Sequence, residues 1–310
     1  MTTFATSKDA IMKKESIALG HFSAFVAYLI FGINIIVNKD LSGSGISPLA
    51  LFTYRSLGAG ILFWIISAFR PAEKVDRGDF PKIFMAAILG FFICQVTFLY
   101  AIPHITPMDC SIVTSLSPIY TMFIAAIAIK EPITWKKATG VVVSLAGFIF
   151  LIVNSVSSSS GVTSTEPVGI VLMIFNSLSF SLYLGIFKPL ISKYSVVTFM
   201  KWIFLFTTVM SLPFTAKEIV TFDYLSLSSS YVWELVFLIL CATFITYFLI
   251  PVAQKNIRPT LVSMYSYVQP IIAIVISIYI GMDTLTWQKV LAAVTVFGGV
   301  LLVNYSRSQH

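Results

Sequence analysis

Charge is what this sequence lacks. Acidic and basic residues make up only 11% of its 310 residues, whereas a soluble domain carries about 25%. A soluble fold of this size could not cover its surface with so few ionised groups. Hydrophobic residues make up 57% of the chain and the mean hydropathy is +0.92, so the bilayer is the expected solvent. Cysteine is also scarce. Cys94, Cys110 and Cys241 lie in apolar runs with no Cys-x-x-Cys spacing, which argues against a disulfide framework or a zinc site. His, Asp and Glu nowhere cluster as a membrane enzyme's centre would require. No catalytic residue, cofactor or metal is therefore expected. The net charge of +7 does not call for nucleic acid, because Lys and Arg collect in the cytoplasmic loops of membrane proteins. Nor is a cleaved leader expected. The first apolar run, Ile17–Val37, is too long for one and no small-x-small cleavage site follows it.

What is present is a series of long apolar runs. Ten segments approach the roughly 20 residues that cross a bilayer: 17–37, 48–69, 83–101, 107–129, 135–153, 167–187, 196–215, 232–253, 260–281 and 286–303. The expected fold is all-α and integral to the membrane, with ten transmembrane helices. Pro48, Pro107, Pro167 and Pro259 fall where helices should start, since a proline there gives up an N–H that has no partner anyway. An even number of spans returns both termini to one side. That side would hold Lys8, Lys13 and Lys14, then Arg70, Lys74, Arg77 and Lys82, then Lys130, Lys136 and Lys137. It would also hold Lys188, Lys193, Lys201, Lys255, Arg258 and Arg307. Only Lys39, Lys217 and Lys289 would lie opposite, with Arg55 inside a span. By the positive-inside rule both termini are cytoplasmic, and the inner membrane of a bacterium is the expected location.

The chain also says something twice. "EPITWKK" at 131–137 returns as "DTLTWQK" at 283–289, an offset of 152 that also pairs Pro107 with Pro259, Ser111 with Ser263, Pro118 with Pro270 and Gly147 with Gly299. Residues 17–153 and 167–304 are read as two copies of one five-helix unit, joined by an external linker at 154–166 and flanked by cytoplasmic tails at 1–16 and 305–310. Because five is odd, the second copy enters the membrane upside down. The loop charges agree: Lys130, Lys136 and Lys137 mark the first copy's last loop, while its counterpart keeps only Lys289. Inverted-topology repeats are the architecture of secondary transporters, with the substrate site at midplane between the halves.

These features carry a family resemblance. "KEPITWKKATGVVVSLAG" (130–147) resembles the end of the first half in the EamA-type drug/metabolite transporter superfamily, with Glu131, Gly140, Ala146 and Gly147 in the family's places. "FGINIIVNK" (31–39) looks like its first span and "LFTYRSLGAG" (51–60) like its Arg-bearing second. The likeness covers about 17–303. It implies a ten-helix exporter of small metabolites, such as amino acids or related compounds, working by alternating access. In the second copy Asp283 replaces the Glu and Ala292 the Gly140 position, so neither position is given a chemical role. No Lys or Arg lies on the ninth span, unlike a sugar-phosphate exchanger, which holds phosphate with basic groups.

Polar side chains deep in lipid should face the bundle or a cavity. Ser111, Ser115 and Pro118 share one helix face, as do their partners Ser263, Tyr267 and Pro270. The two prolines are the expected kinks, with Gln269 beside the second. Tyr28, Asn34, Gln95, Asn176, Tyr183, Tyr247 and Tyr265 complete the candidate path. Arg55, about 11 Å into the second span, is given a structural or gating role over snorkelling to the outer interface or meeting an anionic solute. Trp135 and Trp287 read as interfacial anchors, and Thr134 and Thr286 as helix caps. No carboxylate lies near a midplane, so a buried-acid antiporter is not expected, though coupling to a proton or ion gradient stays open. The partners are a small solute and the bilayer. A monomer suffices, with dimerisation left open. A channel-like facilitator or a regulatory membrane subunit is the alternative, and a membrane enzyme ranks below both.

Overall fold

The computed structural model describes residues 2–128, 135–157, 165–223, 227–282 and 285–305. Glu131 and Thr134 of the first repeat motif, and Asp283 of the second, lie outside them. Among the described residues the structure is helical throughout, with no strand. In chain order the helices are α1 (Thr2–Leu41), α2 (Pro48–Ala68), α3 (Arg77–His104), α4 (Pro107–Thr114), α5 (Ser117–Ala128) and α6 (Trp135–Ser157). They continue as α7 (Pro167–Ile186), α8 (Lys188–Lys193), α9 (Val196–Thr221), α10 (Ser229–Asn256), α11 (Pro259–Met264), α12 (Val268–Tyr279) and α13 (Trp287–Tyr305). Seven stretches among the described residues are long and apolar enough to cross a membrane. The segment read as an N-terminal tail continues as helix into α1.

α2, α4, α7 and α11 start at the prolines expected to open them, whereas α1 begins at Thr2 and α3 at Arg77, ahead of the expected 17 and 83. Ser47, Thr106, Ser195 and Ser228 each place a hydroxyl on a backbone N–H three residues on, the N-cap bond that satisfies an orphan donor. Prolines occupy the first turn of α2, α4, α7 and α11. Thr286 caps α13 by accepting from Lys289 N. Trp135 and Trp287, at the starts of α6 and α13, are exposed.

Two irregularities recur. α3 and α10 each contain a π-helical turn, Ile88–Ile93 and Leu240–Ile245. Helix bounds and π-turn bounds are both displaced by 152 residues. The segment 107–128 is broken at Ser115–Leu116, between α4 and α5. Pro118 has no N–H for the Thr114 carbonyl and its ring crowds that group; Ser117 Oγ donates to the same carbonyl at 2.7 Å. A 3-10 turn, Tyr265–Tyr267, separates α11 from α12 ahead of Pro270.

Two pairs of helices that correspond at the 152-residue offset, α2 with α9 and α6 with α13, pack on each other and run antiparallel. At the start of α2, Ser47 meets Glu218 near the end of α9, while Ser67 at the end of α2 meets Lys201 near the start of α9. In the α6–α13 pair, Gly147 faces Thr295 and Ser144 faces Val296, whereas Gly140 faces Gly299. A Cβ on Gly299 would sit 2.6 Å from the Gly140 carbonyl oxygen, so only glycine permits this approach. Likewise α1 packs on α10 and α12, and α7 on α3 and α5. Phe22, Phe69, Ile127, Phe214 and Val220 face outward. An apolar surface of that extent is expected where lipid is the solvent.

Candidate functional site

A cavity of about 50 Å³ lies between α1, α3, α7 and α10, against the two helix breaks. Its lining residues are Tyr28, Phe31, Asn34, Cys94, Gln95, Phe98, Thr114, Ser117, Asn176, Ser177, Phe180, Tyr247 and Gln269. Three pairs among them, Tyr28 with Phe180, Gln95 with Tyr247, and Ser117 with Gln269, are equivalents at the 152-residue offset. One pair is in direct contact, since the Gln95 amide donates to the Tyr247 hydroxyl. A two-fold axis produces such contacts, because residues on it meet their own mates.

The walls alternate rings with short polar groups. Phe31 packs edge-on against Tyr28 at 5.7 Å, Tyr247 at 5.9 Å and Phe180 at 6.3 Å. Asn176 donates to the Cys94 carbonyl at 2.7 Å, and Asn34 accepts from Asn38. The Tyr28 hydroxyl, the Ser177 hydroxyl and the Gln95 carbonyl oxygen are buried without a protein partner. None of the lining residues is ionisable as a carboxylate or a cation. The site therefore offers hydrogen bonds and ring faces, with no acid to carry a proton. Among the described residues no group of His, Cys, Asp and Glu is arranged to hold a metal ion.

Of the residues proposed from sequence, Tyr28, Asn34, Gln95, Asn176, Tyr247 and Gln269 lie on the wall. The others lie elsewhere. Ser111 Oγ donates to the Met108 carbonyl and Ser115 Oγ to the Ser111 carbonyl, so both hydroxyls are taken by their own helix. Tyr183 is buried behind the wall, its ring 5.5 Å from Phe91 and 6.0 Å from Phe180. Tyr265 hydrogen-bonds His21 Nδ1 at 2.8 Å, Tyr267 packs on Phe297 at 5.8 Å, and Ser263 is buried in α11. Pro118 and Pro270 sit just after the helix breaks that frame the cavity. Arg55 does not reach an interface. It is 2% exposed, and its Nε donates to Thr243 Oγ1 at 2.9 Å, in the middle of α10. Thr114, Ser117, Ser177 and the rings of Phe31, Phe98 and Phe180 were missed. One signal was available for Ser117: it precedes Pro118 as Gln269 precedes Pro270.

Polar contacts seal the bundle at both ends. At one end Asp79 accepts from Lys193 at 2.6 Å, Lys82 at 2.8 Å and the Tyr194 hydroxyl at 2.8 Å. The hydrogen bonds that Lys193 donates, to Asp76 first and then Asp79, hold its ammonium above the usual lysine range. Glu73 accepts from Ser195 N at 3.1 Å and Lys255 donates to the Tyr194 carbonyl. At the opposite end of α2, Glu218 accepts from Ser47 Oγ at 2.6 Å and Lys39 donates to the carbonyls of Ile102, Pro103 and Ile105. There too Thr165 donates to Asp109 at 2.5 Å.

Known proteins place the chain. The EamA-like transporter family matches residues 18–153 and again 167–305. An uncharacterized transporter of Archaeoglobus fulgidus is 27% identical over 49% of this chain and 52% of its own length, so that match spans about half of each protein. Uncharacterized transporter YdfC of Bacillus subtilis is 24% identical over 83% of this chain and 81% of its own. Uncharacterized inner membrane transporter YicL of Salmonella typhimurium is 21% identical over 92% and 95%. A solved crystal structure superposes with a TM-score of 0.64 over 96% of this chain and 99% of that one, at 15% identity. At that identity the superposition speaks for the fold alone.

Proposed function

The chain belongs to the EamA-like transporter family, and on that premise we propose that it is a secondary transporter exporting small metabolites by alternating access. The proposed protein has ten transmembrane helices in two inverted five-helix units, 17–153 and 167–304, with a linker at 154–166. Its tails, 1–16 and 305–310, face the cytoplasm, and its membrane is the bacterial inner membrane. The antiparallel packing of α2 on α9 and of α6 on α13 supports the inverted repeat, and the name of the Salmonella relative supports the location.

The observation that carries the mechanism is the cavity lined by equivalent residues of both units. A site on a pseudo-two-fold axis is reached equally well from either side, so opening one seal or the other exposes the same walls. The machinery for opening is present in pairs. Two π-turns and two broken helices weaken the backbone ladder beside the cavity. The cavity, about 50 Å³, is smaller than a metabolite, so the proposed cycle parts the helices around it. The solute this lining suits is partly apolar, with a polar head for Tyr28, Gln95, Asn176 and Tyr247. An ion gradient is the proposed energy source, and one copy of the chain, in lipid, is enough.

Counterflow in vesicles tests this. Purified chain in liposomes preloaded with a metabolite panel should show saturable uptake that rises when the same solute waits on the opposite side. Flux that never saturates, or no flux of any panel member, overturns the proposal.

A further inference from the structure

The side chain that the transport cycle leaves unexplained is Arg55. It is a permanent cation, 2% exposed, held by one protein hydrogen bond to the neutral Thr243 hydroxyl. That hydroxyl in turn donates to the Leu238 carbonyl at 2.7 Å, so it has no second proton to rearrange. Nη1 and Nη2 are buried with no protein acceptor, and among the described residues no ion pair includes Arg55. A guanidinium stripped of water and left without a counter-ion is among the costliest groups a fold can keep. A purely structural arginine would point these nitrogens at carbonyls or a carboxylate, as Lys39 does with three carbonyls at the bundle's end.

Position makes the vacancy meaningful. Thr243, the residue Arg55 bonds, lies four residues before Tyr247 in α10, and Tyr247 is a group of the cavity wall. Tyr247 already accepts from Gln95, so its own O–H remains to be donated. The Tyr28 hydroxyl, elsewhere on the wall, is also without a protein partner. The unpartnered donors, Arg55 Nη1 and Nη2 and Tyr28, outnumber the one unpartnered amide acceptor of the wall, Gln95 Oε1, and an anionic acceptor is what the donors lack.

We propose that Arg55 is the anion-binding end of the transport site, and that the solute class is a monocarboxylate with an apolar or aromatic body. The carboxylate takes the Nη1 and Nη2 edge in a two-bond clamp, the geometry a guanidinium fork offers, and the Tyr247 hydroxyl donates to it. The body lies on Phe31, Phe98 and Phe180. One cation beside a lining that holds no positive group matches a single negative charge better than the double charge of a phosphate. Arg55 is not itself in the cavity lining, so on this proposal binding and the parting of the helices are one event. This rests on the transport reading for its role, but the binding claim is separable from it.

Three probes sharing one body test it: 3-phenylpropionate, 3-phenylpropionamide and 3-phenylpropylamine. Each is titrated against the purified full chain by thermal shift, beside inorganic phosphate, and then used in vesicle counterflow. The carboxylate should bind about ten- to a hundredfold more tightly than the amide, the range a charged hydrogen-bonded contact spans. Phosphate should bind weakly. Arg55→Gln should bring the carboxylate down to the amide's affinity, and Arg55→Lys should restore part of the difference. Equal affinity for carboxylate and amide, no carboxylate binding, tighter phosphate binding, or an unchanged preference in Arg55→Gln overturns the site. Should Arg55→Gln fail to fold, the wild-type comparison still decides, and Thr243→Val, which frees Nε while keeping the charge, should move carboxylate affinity and leave amide affinity alone. Carboxylate binding without counterflow of any solute sinks the transporter and leaves the site. Counterflow with no carboxylate preference does the reverse.

Discussion

Arg55 and Thr207 occupy the same place in two copies of one unit, 152 residues apart, yet their surroundings have nothing in common. Arg55 reaches across to Thr243 in the π-turn of α10. Thr207 turns back onto its own helix, bonding the Phe204 carbonyl at 3.1 Å. The residue that corresponds to Thr243 is Phe91, which packs against Tyr183, Phe204 and Tyr247 with ring centroids 4.5–5.5 Å apart. One half of the bundle carries a buried cation at this place and the other a threonine, with an aromatic cluster where Thr243 has its counterpart. On the proposed reading, shared features such as the π-turns and prolines serve movement and divergent ones serve recognition.

That division can be attacked where it is strongest, at a shared position. Gly147 and Gly299 both sit in the α6–α13 contact, but Gly299 faces the backbone of Gly140 and Ser144, whereas Gly147 mainly faces the Thr295 side chain. Backbone cannot step aside. Gly299→Val is expected to cost about 3 kcal/mol, at the upper end for overpacking, and Gly147→Val less, read as unfolding temperatures of purified protein. Equal losses would mean that the interface is looser than drawn.

A smaller effect is expected where the copies differ. Gly90 admits the Tyr183 ring, into which a Cβ would run; its equivalent is Ala242, whose methyl is fully buried. Gly90→Ala should cost about 2 kcal/mol by displacing that ring, while Ala242→Gly should cost about 1.5 kcal/mol through helix entropy and the lost burial of one methyl. If Gly90→Ala proves neutral in melting experiments, the aromatic half is not tightly packed.

The smallest effect concerns the seals. Burial opposes ionisation of Glu73, but bonds from the Ser195 hydroxyl and N–H and from Thr198 outweigh it and hold the carboxyl below its usual range. A carboxyl depressed in the folded state stabilises above the unfolded pKa and loses that contribution as pH falls through its folded value. Melting temperature should therefore fall as the medium is acidified below about pH 4.3, the ordinary glutamate value, and Glu73→Gln should flatten part of that fall. An identical acid profile in the variant would remove Glu73 from the seal's balance.

Much of the fold could be read from residues. Helix starts were legible because Ser or Thr followed by Pro is a local device whose bonds close within a turn. The repeat was legible because duplicated packing preserves spacing. The site was legible only in part. Gln95 and Tyr247 bond each other between helices, and Asn176 bonds the Cys94 carbonyl of α3, so for these three polar character alone pointed inward. Ser111 and Ser115 carry the same polar signal, but a hydroxyl one carbon from the backbone finds its nearest acceptor one turn back.

By itself, then, the sequence determined the solvent, the helices and the duplication, because hydropathy, caps and spacing are properties of neighbours along the chain. Tertiary structure alone decided which polar groups meet and which are left wanting. Thr243 stands 188 residues from Arg55, and no local rule connects them. Whether a buried guanidinium is satisfied depends on what the opposite half brings to it. Here that half brings one hydroxyl and leaves two nitrogens open.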